Sequence, residues 1–226
     1  PSSQLDHWLK IEAERFRNPV MRLFHTELEA VYEEKNMSLD DDGDKSFDAL
    51  WEGLFRKHTY GTQTTLGSVE QLQNPSISEI ENYYRARYVP GNMAIILAGD
   101  FDPDQAIKLI DKRFGGFEAK DFKDYEPPVE DEIGPPIVKT VYGPSDESLT
   151  FAYRAGGNST KDANLLTVIE YILSNGSAGL IDLNLNQSQK VIDAYCYTIT
   201  ANDYSVITFG GKPRQGQSLE DVRDLL

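Results

Sequence analysis

Apolar residues recur every three or four positions through much of the first half of the chain, which is the spacing of amphipathic helices. The pattern Ser-Ile-Ser-Glu at 76–79 is that of a capping box and predicts the start of one helix. Pro103, directly after Asp102, predicts the start of another, and Gly115-Gly116 predicts its end. The helices predicted in this half cover 5–18, 21–37, 46–57, 76–87 and 103–114.

Short apolar runs predict strands instead. The run MAIILAG at 93–99 is continuous and short enough for a buried strand. In the second half, two neighbouring runs predict a hairpin across Asn202-Asp203. Two further helices are predicted at 162–173 and 180–186, and the strands of this half are predicted at 137–143, 149–155, 194–201 and 204–211. Helices and strands mix without strict alternation, so the predicted fold class is α+β.

A change of composition predicts the domain organisation. The segment 118–136 is acidic and carries four prolines, which is typical of a linker. We therefore expect one domain over 1–120, a linker over 121–136 and a second domain over 137–226. The chain does not begin with Met, and its final residues SLEDVRDLL resemble an unfinished helix, so we expect it to be a piece of a longer protein.

Composition and charge exclude several classes of function. The 226 residues are 39% hydrophobic, which allows a packed core, and carry a net charge of −15. This charge argues against binding to nucleic acid or to an anionic membrane surface. Cys196 is the only cysteine, so an internal disulfide is excluded. No apolar run reaches the ~18 residues of a transmembrane helix.

An acidic turn at 38–44, SLDDDGD, superficially resembles a calcium loop. With Gly43 in the sixth position, however, the first and twelfth ligands would be Ser38 and Ala49, where an EF-hand loop uses carboxylates. The pattern therefore favours a solvated turn.

The helix predicted at 21–37 contains the candidate chemistry. At ~100° per residue, Glu27 and Glu34 fall near the middle of an arc of apolar side chains, whereas Glu29 and Glu33 point away. The apolar members of this arc are Leu23, Phe24, Ala30, Val31 and Met37. Two interpretations remain open: the two carboxylates face a cation at a buried site, or the arc is only partly buried and they reach water at its edge.

Several segments in order resemble the insulinase/pitrilysin-type zinc peptidases, the group with the inverted motif His-x-x-Glu-His. They are ELEAVYEE, HTYGTQTTLGSVEQL, ENYYRARYVPGNMAIILAGDFD and a helix that ends in RFGGF. The resemblance covers residues 1–120 well and 137–211 more loosely. It implies mixed domains in which helices pack on antiparallel sheets, as in proteins similar to the mitochondrial processing peptidase.

The resemblance also implies a zinc site. In that family two histidines of His-x-x-Glu-His bind zinc, the glutamate between them activates water, and a glutamate on a later helix is the third ligand. The matching residues here make Glu34 the third zinc ligand and Glu27 a carboxylate that orients the site. On this basis the cofactor is Zn2+.

The histidines depart from the family pattern. His7, His25 and His58 are the only ones in the sequence, and none stands in His-x-x-Glu-His. Since catalytic zinc usually has three protein ligands, this chain supplies at most one of them. His25 lies off the line from Glu27 to Glu34, and His58 matches a loop histidine that we expect to be structural. The zinc-binding histidines must therefore come from outside the chain, which alone should be inactive.

The resemblance implies a parent protein that is a zinc metalloendopeptidase acting on unstructured peptides. It would enclose the peptide between clamshell halves formed with the rest of the parent polypeptide or with a partner subunit. The alternative is a non-catalytic partner or scaffold member of the family that binds peptides or subunits without hydrolysis; a third is an unrelated acidic binding module. Because family members are often exported, localisation leans to a bacterial periplasm or cell envelope.

Overall fold

The computed structural model describes residues 2–226. Its helices are α1 (Leu5–Arg17), α2 (Phe24–Asp40), α3 (Asp42–Leu54), α4 (Thr59–Thr62), α5 (Val69–Gln73), α6 (Ile77–Arg87), α7 (Pro103–Phe114), α8 (Lys161–Leu173) and α9 (Leu219–Leu225). Its strands are β1 (Leu149–Gly156), β2 (Asp193–Thr200) and β3 (Tyr204–Lys212). Short 3-10 turns occupy Ser2–Gln4 and Pro90–Asn92, and a π-helical turn occupies Asp182–Asn186. The mixture of helices with a small antiparallel sheet confirms the predicted α+β class.

Backbone contacts divide the described chain into two compact units. Unit 1 comprises the described residues through Asn36 together with Thr65–Pro127, and unit 2 comprises Met37–Thr64 together with Pro128–Leu226. The segment Met37–Thr64 thus packs with the residues that follow the acidic linker. The domain limits expected at 1–120, 121–136 and 137–226 stay a prediction.

Unit 1 is held together chiefly by α1 and α7. Arg113 donates two hydrogen bonds to the carboxylate of Asp6, at 2.8 and 2.7 Å, which is the paired geometry that makes arginine–carboxylate contacts strong. The hydroxyl of Tyr84 donates to the carbonyl of Phe16 at 3.1 Å and brings α6 to the end of α1. The fully buried side chains of these helices are small or aliphatic, namely Leu9, Ala13 and Ala106.

Unit 2 is built on an antiparallel sheet with the strand order β1-β3-β2. The hairpin predicted across Asn202-Asp203 is confirmed, since β2 pairs with β3 up to Thr200 opposite Ser205. One core cluster lies on this sheet and includes Ile181, Leu185, Val191, Ala194, Cys196, Ile207 and Val222. The helix predicted at 180–186 is confirmed as a helical turn of the π type, and it contributes Leu185 to that cluster.

Two predicted strands are wrong. Residues 93–99 and 137–143 have no strand among the described residues, and Ile96 and Val138 are 88% and 86% exposed. An extended apolar run becomes a strand only when a neighbouring strand accepts and donates its backbone hydrogen bonds. No described strand pairs with either run.

Two local predictions in the first half are also corrected. The side chain of Ser76 makes no capping hydrogen bond at α6, whereas complete capping boxes form at Ser68 with Gln71 and at Ser218 with Asp221. The acidic stretch expected to be a turn is mostly helical, because α2 continues to Asp40. Asp41 alone separates the two helices, and its carboxylate accepts from the backbone N–H of Asp44 as the N-cap of α3.

Cys196 provides a test of the sheet core. Burial and, secondarily, the charge of Glu170 raise the pKa of its thiol to about 11. Because only the thiolate reacts, we expect Ellman's reagent at pH 8 to modify native Cys196 about two orders of magnitude more slowly than the urea-unfolded chain. Equal rates with and without urea would show that this part of the core opens freely.

Candidate metal-ligand helix

The helix α2 begins after an unusual backbone conformation. Leu23 has a φ of 57°, in the left-handed region that non-glycine residues seldom adopt. Its carbonyl nevertheless accepts the N–H of Glu27 at 3.0 Å, so this residue directly precedes and supports the first turn. A non-glycine residue in this region costs conformational energy and persists where the surrounding structure holds it.

The packed face of α2 overlaps the predicted apolar arc only at Phe24 and Val31, which are half-buried. Lys35 is the buried residue of the helix, with 6% exposure, and Leu28, Val31 and Tyr32 are half-buried on the same side. The other three apolar side chains of the arc are exposed to solvent. Leu23 and Met37 are 73% and 72% exposed, and Ala30 is exposed as well.

Glu27 and Glu34 both have exposed side chains. Seven residues apart on one straight helix, their Cα atoms are separated by about 10 Å along the axis, too far for both to bind one ion directly. In this chain both carboxylates reach water, as expected if the apolar arc is only partly buried. The zinc-ligand role of Glu34 and the orienting role of Glu27 stay predictions.

The described residues do not form a complete metal site. Over residues 2–226 no group of three or more His, Cys, Asp or Glu side chains is placed to hold a metal ion. His25 is exposed and its ring contacts Phe24 edge-on at 5.6 Å. His7 is also exposed, and His58 is 1% exposed in unit 2. A zinc ion therefore does not fit the donors of this chain alone.

One buried polar cluster was not predicted from the residue pattern. Glu130 lies in the acidic linker, where composition predicts solvated carboxylates, yet its side chain is only 1% exposed. It faces His58 and Arg154, which come from distant parts of the sequence.

No helix in the described part of the chain is both long enough and apolar enough to cross a bilayer.

The chain is similar to a known protein family and to several curated proteins. The family model described as "Peptidase M16 inactive domain" matches residues 76–226. The zinc protease PqqE of Helicobacter pylori is 22% identical over 157 residues, which cover 66% of this chain and 35% of that protein. The chain spans about a third or less of the length of the curated relatives it matches.

Solved structures share the fold. A protease from Helicobacter pylori matches with a TM-score of 0.79 at 19% identity, covering 98% of this chain and 55% of that one. The periplasmic protease PqqL of Escherichia coli matches with a TM-score of 0.65 at 13% identity, covering 100% of this chain and 28% of that one. At such identities the likeness concerns the fold and not the chemistry.

Proposed function

The chain belongs to the M16 peptidase family, that of the insulinase/pitrilysin type, and from this membership we propose that it is part of a zinc metalloendopeptidase that degrades or processes unstructured peptides. The isolated chain is catalytically inactive in this proposal. Its contribution is a carboxylate from Glu34 to a metal whose histidine ligands lie outside the chain.

The observation that carries this proposal is the open face of α2. Glu27 and Glu34 share that face with exposed apolar side chains, among them Leu23 and Met37. An apolar face on a soluble helix usually packs against a partner element. A helix that brought imidazoles to this face would meet both an apolar surface and a free carboxylate.

Each of the two carboxylates has a role in the proposal. Glu34 supplies one ligand oxygen on a rigid helix, and Glu27, two turns earlier, accepts a hydrogen bond from a ligand histidine and so fixes its orientation. With histidines from outside the chain, Glu34 would hold the zinc, which would supply the activation of water needed to cleave a peptide bond at neutral pH. Packing of the apolar arc would at the same time remove Glu34 from water, so that the cation compensates its charge.

The remaining expectations also belong to the proposal. The substrate is an unstructured peptide, enclosed between this chain and the rest of the parent polypeptide or a partner subunit. A bacterial periplasm or envelope is the proposed location, in line with the periplasmic description of one structural relative.

A second candidate is a non-catalytic member of the same family that binds peptides or subunits without hydrolysis. It is compatible with the matching family model, which is described as an inactive domain, and with the lack of a three-ligand metal site among the described residues. The parent sequence separates the two candidates: a zinc peptidase carries His-x-x-Glu-His about 70 to 80 residues before Glu34. Its absence from the parent, and from any partner subunit, would favour the non-catalytic candidate.

The purified 226-residue chain is expected to show no peptidase activity, because its described residues offer no three-ligand metal site. The measurement is cleavage of an internally quenched peptide in the presence of added zinc, with the full parent as the positive control. Hydrolysis by the isolated chain that a chelator abolishes would overturn this part of the proposal.

A further inference from the structure

A buried carboxylate in the acidic linker is the strongest feature outside α2. Glu130 follows two prolines in a segment without regular secondary structure, and its neighbours Asp131 and Glu132 are exposed. The side chain of Glu130, by contrast, is 1% exposed. Burying a charge is costly unless it is paired and hydrogen-bonded, so its partners define what it does.

The partners come from the end of α3 and from the sheet. One carboxylate oxygen, Oε1, accepts the backbone N–H groups of Lys57 and His58 at 2.5 and 2.6 Å. The other, Oε2, lies 3.4 Å from the guanidinium of Arg154 on β1. The backbone N–H of Glu130 donates to the hydroxyl of Tyr204 on β3 at 2.9 Å. A single linker residue thus joins the loop after α3 to two strands.

Arg154 completes the connection from the other side. Its guanidinium donates to the carbonyl of Leu54, the last residue of α3, and to the carbonyl of Asp131. The same group lies over the rings of Phe55 and Tyr204, at 5.7 and 5.2 Å from their centroids. Its positive charge is therefore held over aromatic faces and beside Glu130.

His58 occupies the centre of the loop that Glu130 binds. Its Nδ1 accepts the N–H of Tyr60 at 3.1 Å and caps α4, so the neutral ring carries its hydrogen on Nε2. That atom lies 3.3 Å from a carboxylate oxygen of Asp203 but has no hydrogen-bond partner among the described residues. Gly61 approaches the carbonyls of Trp51 and Phe55 too closely for any Cβ.

We propose that Glu130 is a charge-dependent latch: its ionised carboxylate holds the segment 55–62 against β1 and β3, and its protonation releases that segment before the sheet unfolds. The two N–H donors and Arg154 all favour the ionised form, whereas a neutral carboxyl accepts hydrogen bonds less strongly and loses its attraction to the guanidinium. No other described carboxylate accepts from the backbone of that segment.

The charges around the latch determine the direction of its pH dependence. Burial raises the pKa of Glu130, but hydrogen bonds from the backbone of His58, Lys57 and Arg56 and the charge of Arg154 outweigh it, and the pKa is lowered. The remaining charged groups facing the cluster are Lys57, Asp131 and Asp203. Because the folded pKa is lowered, the stability that the ionised latch adds is fully present above the ordinary glutamate value of about 4.3 and is lost as pH falls through the lowered pKa of folded Glu130.

The first test replaces Glu130 by Gln in the 226-residue chain and measures hydrogen exchange at pH 7. Backbone amides in 55–62 are expected to exchange about tenfold faster or more, the usual effect of losing a charged hydrogen-bond partner, while those of β3 keep their wild-type rates. Glu132→Gln is the matched control, since it removes one charge from an exposed position in the same linker. Unchanged exchange rates in 55–62, or an equal rise in exchange rate throughout β3, would overturn the latch proposal.

The second test uses the unmodified glutamate and therefore does not depend on the folding of Glu130→Gln. In a Trp8→Phe background, Trp51 is the only tryptophan, and its ring lies 5.2 Å from that of Phe55. As pH falls below the ordinary glutamate value of about 4.3 and through the lowered pKa of Glu130, its fluorescence is expected to change before the far-ultraviolet circular dichroism does. Coincident changes in the two signals would refute release of the segment ahead of the sheet.

Discussion

Replacing Glu34 by Gln in the full-length parent is expected to abolish peptidase activity and to weaken zinc binding. The amide keeps the size of the side chain but removes the negative charge that a zinc ligand supplies. Glu27→Gln is expected to lower activity by about 10- to 100-fold with a smaller loss of zinc, as is usual for residues that orient a ligand. The measurements are kcat/KM on a quenched peptide and zinc content after dialysis.

Glu33→Gln is the matched control for this experiment. It removes the same charge from the neighbouring position of α2, where the side chain is also exposed, but it points about 100° away from Glu34 around the helix. We expect it to retain both activity and zinc. Normal turnover by Glu34→Gln would remove Glu34 from the site, and equal losses in Glu33→Gln would point to charge or helix stability instead of ligation.

Phe55→Ala is expected to lower the free energy of unfolding of unit 2 strongly. Phe55 is fully buried, with 0% exposure, and its ring contacts those of Trp51, His58, Tyr60 and Tyr204 at 5.2 to 6.0 Å. Removing it leaves a cavity at the junction of α3 and the sheet, which typically costs about 3 to 5 kcal/mol. Urea unfolding followed by Trp51 fluorescence in the Trp8→Phe background measures this loss.

A neighbouring phenylalanine serves as the control for the truncation. Phe47 also contacts Trp51, at 5.2 Å between ring centroids, but it is 42% exposed. Because water already reaches much of its surface, Phe47→Ala should cost far less than Phe55→Ala. Similar losses for both variants would mean that the cluster around Phe55 is not the main core of this junction.

Some helix ends were predictable from local residue patterns. Asp102 caps α7 and Pro103 occupies its first turn, as their order in the sequence requires. The same reasoning was wrong for Ser76. The capping pattern is present there, but the side chain makes no capping hydrogen bond in the structure. A pattern of residues permits a cap but does not ensure that its hydrogen bond forms.

The candidate site was predictable only in part. The sequence placed Glu27 and Glu34 on one face of a helix, and α2 has that helical geometry. Whether the face is buried depends on which element packs on it, and α2 buries the side of Lys35 instead. Glu130 could not have been found at all, since acidic side chains beside prolines normally indicate a solvated linker.

By itself, the sequence determined the α+β class, the hairpin at Asn202-Asp203 and the resemblance to the M16 family, which the matching family model confirms. These depend on periodicity, turn residues and the order of motifs, all of which are written along the chain. Only the tertiary structure decided that the apolar run at 93–99 forms no strand, that Met37–Thr64 packs with unit 2, and that Glu130 is buried. The reason is that strand pairing, burial and charge compensation depend on partners distant in sequence, which local patterns do not specify.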